Sequence, residues 1–268
     1  MSKVAIITGA SSGIGRSLAL KGAELGYKLA LFARNYDALV SLKNEISQFS
    51  DSEVLLVNGD VSIENDCIQL IEQTVNTFHH IDILINNAGI SMRSLFKDVD
   101  LTVIDSLMKT NFWGTVYCTK HALPYLLDRK GTVVGVSSIA GFKGLPARTG
   151  YSASKFAMQG FLESLRVENL KTGLHVLIAC PGYTASNIRN TALNEKGEAQ
   201  GDTPLNESKL MSSEKVASEI WNAIEKHKRY LILTLQGKMA VWLNKISSKL
   251  TDILTYNVIK KEPNSPFK

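Results

Sequence analysis

Val4-Ala5-Ile6-Ile7-Thr8-Gly9-Ala10-Ser11-Ser12-Gly13-Ile14-Gly15 is the stretch that decides the fold. A short apolar run, strand-like in its residues, enters a glycine-rich turn, and helical periodicity follows from Ile14 to Leu25. Glycine permits a tight turn and lets backbone approach a pyrophosphate closely, while the free N–H groups at the helix start face its negative charge. The spacing is Gly-x3-Gly-x-Gly, not the commoner G-x-G-x-x-G. No Gly-Lys-Ser/Thr follows, which excludes a Walker P-loop. Such a turn can simply join strand to helix. Its place at the first strand–helix switch favours a nucleotide, with Gly9, Ser11, Ser12, Gly13, Ile14 and Gly15 lining it.

Outward from this stretch, short apolar runs alternate with helical patterns. Strands are expected at Val4–Thr8, Lys28–Ala33, Val54–Asn58, Ile81–Asn86, Gly131–Ser137, Leu174–Cys180 and Arg229–Thr234. Several are nearly continuous apolar runs, as strands buried on both faces should be. Helices are expected at Ile14–Leu25, Tyr36–Phe49, Glu64–His79, Leu101–Leu127, Tyr151–Lys171 and Glu214–Lys226. The alternation predicts an α/β fold, a doubly wound parallel sheet of seven strands flanked by helices. One catalytic domain is expected over residues 1–235, with an amphipathic basic C-terminal extension over 236–268. Within the domain, Ser186–Met211 is polar and long enough to be a substrate lid.

The chain has 268 residues, with 44% hydrophobic and 21% charged, which is ordinary globular composition. No run of 18 apolar residues reads as a membrane span. The first strand begins close behind Ser2, which predicts no signal or transit peptide. Cys67, Cys118 and Cys180 lie far apart without CxxC spacing, which argues against a disulfide framework or a zinc site and suits a reducing, cytoplasmic location; no metal is expected. The net charge of +5 is uneven: residues 226–268 hold nine Lys/Arg and two Asp/Glu, and the remainder 21 and 23. The basic pI thus belongs to the tail and gives no argument for nucleic-acid binding.

The second strand ends in Ala33-Arg34-Asn35, without the acid that would accept hydrogen bonds from a ribose 2′-OH. Arg34 offers a guanidinium for a 2′-phosphate, so NADP(H) is expected over NAD, although a surface Arg is common at a strand end. Asp60, with Val61, closes the third strand and is read either as a ligand of the adenine amino group or as a turn aspartate. Asn86-Asn87-Ala88-Gly89 closes the fourth, where Asn87, Ala88 and Gly89 leave room for adenosine or merely mark a turn. Tyr151 and Lys155 are four apart and share a helix face. A phenol titrates near 10, and a neighbouring ammonium is expected to lower that value. Tyr151 could then exchange a proton with a carbonyl or alcohol oxygen that Ser138 also hydrogen-bonds. Alone, Tyr-x-x-x-Lys is ordinary on an amphipathic helix.

Taken together, Thr8–Gly15, Asn86–Gly89, Asn111, Ser138, Tyr151/Lys155 and Pro181-Gly182, in this order, resemble the short-chain dehydrogenase/reductase superfamily across about the first 235 residues. Within it the chain looks loosely like the hydroxysteroid dehydrogenase and ketosphinganine reductase branches. The resemblance implies a single Rossmann-type domain with Tyr151 as catalytic acid/base. It implies that Lys155 binds the nicotinamide ribose and that Asn111 holds a water relaying protons from Lys155. It selects Ser138 over Ser137, because Ser138 stands 13 residues before Tyr151. Thr184 of Pro181-Gly182-Tyr183-Thr184 would hold the nicotinamide amide, though it lies closer to the glycine than in the commonest pattern. Many NADP-dependent relatives carry a basic residue where this chain has Ser12, so the cofactor expectation rests on Arg34.

The expected function is NADP(H)-dependent interconversion of a carbonyl and a secondary alcohol, acting on a small, lipophilic molecule whose pocket Met92, Phe142, Leu145 and Tyr183 would line. The alternative is a non-catalytic dinucleotide sensor or scaffold on the same fold. Intact Asn111, Ser138, Tyr151 and Lys155 weigh against it. An epimerase or dehydratase with the same Tyr-Lys pair is a third reading, which would need a larger substrate domain. The family pairs its long helices between subunits, so a homodimer or homotetramer is expected through Leu101–Leu127 and Tyr151–Lys171. The tail stripe over Lys238–Val258 has two destinations: packing on protein, or peripheral contact with an anionic membrane surface.

Overall fold

Strands whose side chains are apolar on both faces can only lie between two layers of helices. The structure, a computed structural model describing residues 2–184, 188–201, 210–262 and 265–267, has this arrangement. Its strands are β1 (Val4–Thr8), β2 (Lys28–Ala33), β3 (Val54–Asn58), β4 (Ile83–Asn86), β5 (Thr132–Val136), β6 (His175–Cys180) and β7 (Tyr230–Ile232). They form one seven-stranded parallel sheet in the order β3-β2-β1-β4-β5-β6-β7. The helices are α1 (Gly13–Glu24), α2 (Tyr36–Ile46), α3 (Glu64–Phe78), α4 (Leu101–Leu107), α5 (Gly114–Asp128), α6 (Thr149–Glu168), α7 (Ser213–Glu225), α8 (Leu235–Ile246) and α9 (Ser248–Lys260).

Alternation along each strand divides the core in two. Ala5 and Ile7 face α1, α2 and α7, where Leu18, Leu42 and Trp221 are buried. Val4 and Ile6 face α3, α5 and α6, where Leu70, Leu126 and Leu162 are buried. Gly22 lets the Trp221 ring lie against α1, since a Cβ there would sit 2.9 Å from it, and the indole N–H donates to the Leu18 carbonyl at 3.0 Å. The strand order reverses between β1 and β4, so their C-terminal ends open the crevice in which such sheets bind ligands.

Element ends agree with the sequence within a few residues, with three informative differences. The fourth strand begins at Ile83 instead of Ile81, because Asp82 turns its carboxylate to the Val4 N–H (2.8 Å) and to Arg129 Nε (3.1 Å). The helix expected over Leu101–Leu127 is interrupted by a π-helical turn at Met108–Trp113, which carries the buried Asn111. The expected single tail stripe is two helices. Ser247 adopts extended backbone between them, and its hydroxyl accepts the Leu250 N–H to cap α9. The extension is no free appendage: Asn244 Nδ2 donates to the Phe142 carbonyl at 3.1 Å, and Lys143 pairs with Asp252. Of the expected lid, Ser186, Asn187 and residues 202–209 lie outside the described residues. The remainder bridges Leu193 to Met92 and to Ala199.

Candidate active site

The β1–α1 turn and the end of β4 are in backbone contact. Gly9 has φ +65°, and a Cβ there would lie 2.8 Å from Ala88 Cα. A Cβ on Gly15 would lie 2.1 Å from the Gly9 carbonyl oxygen. Thr8 Oγ1 accepts the N–H groups of Asn87 and Ala88 at 3.0 Å, and Asn87 Nδ2 donates to the carbonyls of Thr8 (2.9 Å) and Gly9 (3.2 Å). The Asn87 side chain therefore builds the turn. Ser12 starts α1 without a side-chain cap, and no acid stands in the first turn. The first N–H groups of the helix are left for an anion, beside half-buried Ser11, Gly13 and Ile14. An uncapped helix start behind a backbone that tolerates no side chain fits a dinucleotide pyrophosphate.

At the ends of β2 and β3, the Arg34 side chain is 73% exposed and its Nη1 lies 3.6 Å from Asp60 Oδ2. Asp60 Oδ1 accepts the Ser62 N–H and hydroxyl at 2.9 and 2.8 Å, as a turn aspartate does. Val61 is buried beneath α5, where a Cβ on Gly114 would strike it. Beyond β6, Gly182 packs on Thr234, and buried Thr184 donates to the Gly182 carbonyl at 3.1 Å.

Ser138, Tyr151 and Lys155 converge beside this crevice. Ser138 follows β5 and accepts the Ala140 N–H at 3.1 Å to start a single 3-10 turn. Its side chain is near enough to the Tyr151 phenol on α6 to draw that group's titration downward. Lys155 is buried one turn later; its Nζ donates to the Val136 carbonyl at 2.9 Å and stands 5.8 Å from the Tyr151 ring centre. Burial lowers the Lys155 ammonium to about 8. Burial also raises the Tyr151 phenol, outweighing the opposing pull of Ser138 and the Arg148 guanidinium. This corrects the expectation that a neighbouring ammonium would depress it: at 5.8 Å from the ring, Lys155 does not overcome desolvation.

Asn111 is fully buried. Its Oδ1 accepts the Ile90 N–H at 2.8 Å, and its Nδ2 donates to the Ile90 carbonyl (3.0 Å) and to Ser154 Oγ (2.9 Å). Both donors are used and one Oδ1 lone pair remains. That oxygen and Lys155 Nζ lie 3.2 and 3.4 Å from where a Cβ on Gly89 would sit, so both border the space beside Gly89. The side chain also ties the β4–α4 loop to α6 from the π-helical turn that carries it.

Two residues near the site were not foreseen. Buried Gln159, one turn beyond Lys155, donates to Ser137 Oγ at 2.8 Å and to the Ser138 carbonyl at 3.3 Å. A polar residue on the core-facing stripe of α6 was its signal. Arg148 is buried immediately before α6 and acts on both Tyr151 and Tyr183; nothing in its sequence setting marks it. The expected apolar lining is divided. Tyr183 is partly exposed and Met92 packs under Tyr151, whereas Phe142 turns into the core against Tyr230, ring centres 6.0 Å apart.

The chain is similar to known proteins. A family model described as short chain dehydrogenase matches residues 3–197. The chain is 42% identical over 205 residues to 11-beta-hydroxysteroid dehydrogenase A of Arachis hypogaea, covering 76% of this chain and 58% of that protein. It is 34% identical over 260 residues to a Dictyostelium discoideum dehydrogenase/reductase SDR family protein 7-like, covering 95% and 81%. A solved structure of a short chain dehydrogenase/reductase from Burkholderia phymatum in complex with NAD superposes with TM-score 0.81 at 25% identity, covering 93% of this chain and 95% of that one. Matched from its first strand through the loop beyond the sixth, the chain belongs to the short-chain dehydrogenases, a family of nicotinamide-dinucleotide oxidoreductases.

Proposed function

We propose that this protein is an NADP(H)-dependent oxidoreductase that interconverts a carbonyl and a secondary alcohol, with Tyr151 donating or accepting the proton. The observation that carries it is the convergence of Ser138 and Tyr151 with buried Lys155, whose Nζ stands 5.8 Å from the Tyr151 ring centre, beside the crevice at the switch point of the sheet. The nicotinamide, when bound, supplies or takes up the hydride. Gly9, Ser11, Ser12, Gly13, Ile14 and Gly15 would hold the pyrophosphate, Asp60, Val61, Asn87, Ala88 and Gly89 would border the adenosine, and Pro181, Gly182 and Thr184 would border the nicotinamide. Ser138 holds the substrate oxygen. A phenol raised by burial keeps its proton at neutral pH, so the protein by itself stands ready for the reductive direction. Lys155 keeps its charge at neutral pH and loses it as pH rises through about 8, which ends its service to a proton relay through Asn111.

Tyr151→Phe is expected to lower turnover by about 10²–10⁴-fold while leaving cofactor affinity nearly unchanged, because only the transferable proton is removed. Turnover of a panel of steroid, keto-sphingoid, acyl and small aldehyde carbonyls, followed by NADPH absorbance, checks this. Retention of most wild-type turnover would exclude Tyr151 as the acid, and an intact Tyr151 without turnover on any carbonyl would favour the sensor alternative.

Arg34, exposed at the end of β2 with Asp60 3.6 Å from it, would grip the 2′-phosphate. A charge-assisted hydrogen bond contributes about 1.5–3 kcal/mol, so NADPH should bind at least about tenfold more tightly than NADH, and Arg34→Ala should remove most of the difference. Equal dissociation constants in the wild-type protein would assign the enzyme to both cofactors.

We also infer a homodimer or homotetramer. Trp113 is 44% exposed within a ring cluster that includes Phe112, Tyr117 and Phe161, and Phe156 is 46% exposed on α6. Met158, also expected there, is instead fully buried in its own subunit. Light scattering at micromolar concentration should give a multiple of the 29.4 kDa chain mass, and a monomer would contradict it.

The tail supports peripheral membrane contact, which would suit a lipophilic substrate. Val241 and Ile259 are buried, but Leu235, Met239, Trp242, Ile246 and Ile253 are each more than half exposed among lysines 238, 245 and 249. Among the described residues, no helix is long and apolar enough to cross a membrane. Co-sedimentation with anionic but not neutral vesicles, weakened by salt and by Trp242→Ser, is expected. Indifference to anionic vesicles would leave the tail as a protein-packing element.

A further inference from the structure

After α9 the chain turns back, and Glu262 comes to rest between two loops of the site. Its Oε2 lies 3.3 Å from Arg93 Nη2 and 3.5 Å from Arg148 Nη2, and the three side chains are at least nine-tenths buried. Arg93 follows Met92, against which Tyr151 packs. Arg148 is the residue before α6 and stands three before Tyr151. The two loops are joined a second time by the Ser94 N–H, which donates to the Ala147 carbonyl at 3.0 Å. Ala147 itself is buried with φ +57°, a backbone that residues with a Cβ rarely adopt. Such a conformation persists only where its surroundings over-determine it. The Ser94 bond holds it from one side and the Glu262–Arg148 pair from the other.

We infer that Glu262 is a positioning residue of the substrate site: the C-terminal extension supplies the carboxylate that fixes Arg93 and Arg148, and with them the backbone leading into Tyr151. This residue lies outside the stretch matched by the family model. A buried carboxylate is unfavourable unless paired, so an extension needing only an anchor would gain nothing by sending one here. The cluster also faces the reacting side of the site: Arg148 acts on the Tyr151 phenol, and Arg148, Glu262, Arg189 and Arg93 all act on that of Tyr183. The cofactor side stands apart from it, since the glycine-rich turn is braced by Thr8 and Asn87, whose bonds do not involve Glu262.

The kinetic part of this inference rests on the Tyr151 chemistry proposed above; its structural part does not. Glu262→Gln keeps the side-chain shape and removes the charge. Amide hydrogen exchange at Ser91–Leu95 and Leu145–Ser152 should become at least about tenfold faster, while that of α1 stays unchanged, because two buried guanidinium groups lose their shared partner. With any carbonyl substrate kcat should fall at least about tenfold, with the cofactor dissociation constant kept within about threefold, since a misplaced catalytic group costs rate more than remote binding. Glu262→Asp, which keeps the charge on a shorter stem, should recover part of both. Wild-type exchange in those loops, wild-type kcat, or an equal loss of cofactor binding in Glu262→Gln would overturn the inference. Should the glutamine variant not fold, the aspartate variant decides: wild-type behaviour in both exchange and kcat overturns it. A Tyr151→Phe variant with full turnover would remove the catalytic reading and leave the exchange result standing.

Discussion

Backbone meets backbone where the turn after the first strand touches the end of the fourth, and the active crevice depends on that contact. A Cβ on Gly9 or Gly15 would fall within 2.8 Å of main-chain atoms, so neither position has room for any side chain. Thr8 and Asn87 close the contact with four hydrogen bonds. The sheet order places β1 beside β4, and the chain reverses direction of winding there. Everything a dinucleotide would touch is arranged around this junction, with the first turn of α1 presenting its N–H groups over it.

Burial then sets the chemistry. Tyr151 and Lys155 lie on one face of α6, against strand ends whose polar groups are already engaged. Desolvation disfavours each charged form, raising the phenol and lowering the ammonium. Ser138 is held in place from behind by Gln159, so the hydroxyl that meets Tyr151 belongs to a turn with little freedom.

The third layer of organisation is the way the tail closes on the loops around Ser138 and Tyr151. Gly237 packs on Ile139, Asn244 bonds the Phe142 carbonyl, and Glu262 reaches Arg93 and Arg148. Except for the Arg93 contact in the loop after β4, these run along the loop between β5 and α6, the stretch that carries Ser138 at one end and Tyr151 just beyond the other. The apolar faces that α8 and α9 leave uncovered therefore lie on elements directly coupled to the site.

By itself, the sequence determined the layered sheet, the glycine turn and the order of Ser138, Tyr151 and Lys155. Each follows from a local rule: apolar runs of strand length, glycine where no side chain fits, and helical spacing of four. The tertiary structure decided what those rules do not contain. It decided the sign of the Tyr151 shift, because desolvation depends on what surrounds the phenol and not on its neighbour in the helix. It decided the break at Ser247, since a stripe of apolar residues reads the same whether the helix bends or continues. It decided that Asn87 braces the turn, that Gln159 supports Ser138, and that Glu262 meets Arg148 from 114 positions away. Pairings across such distances are set by how the layers pack, and no local pattern encodes them.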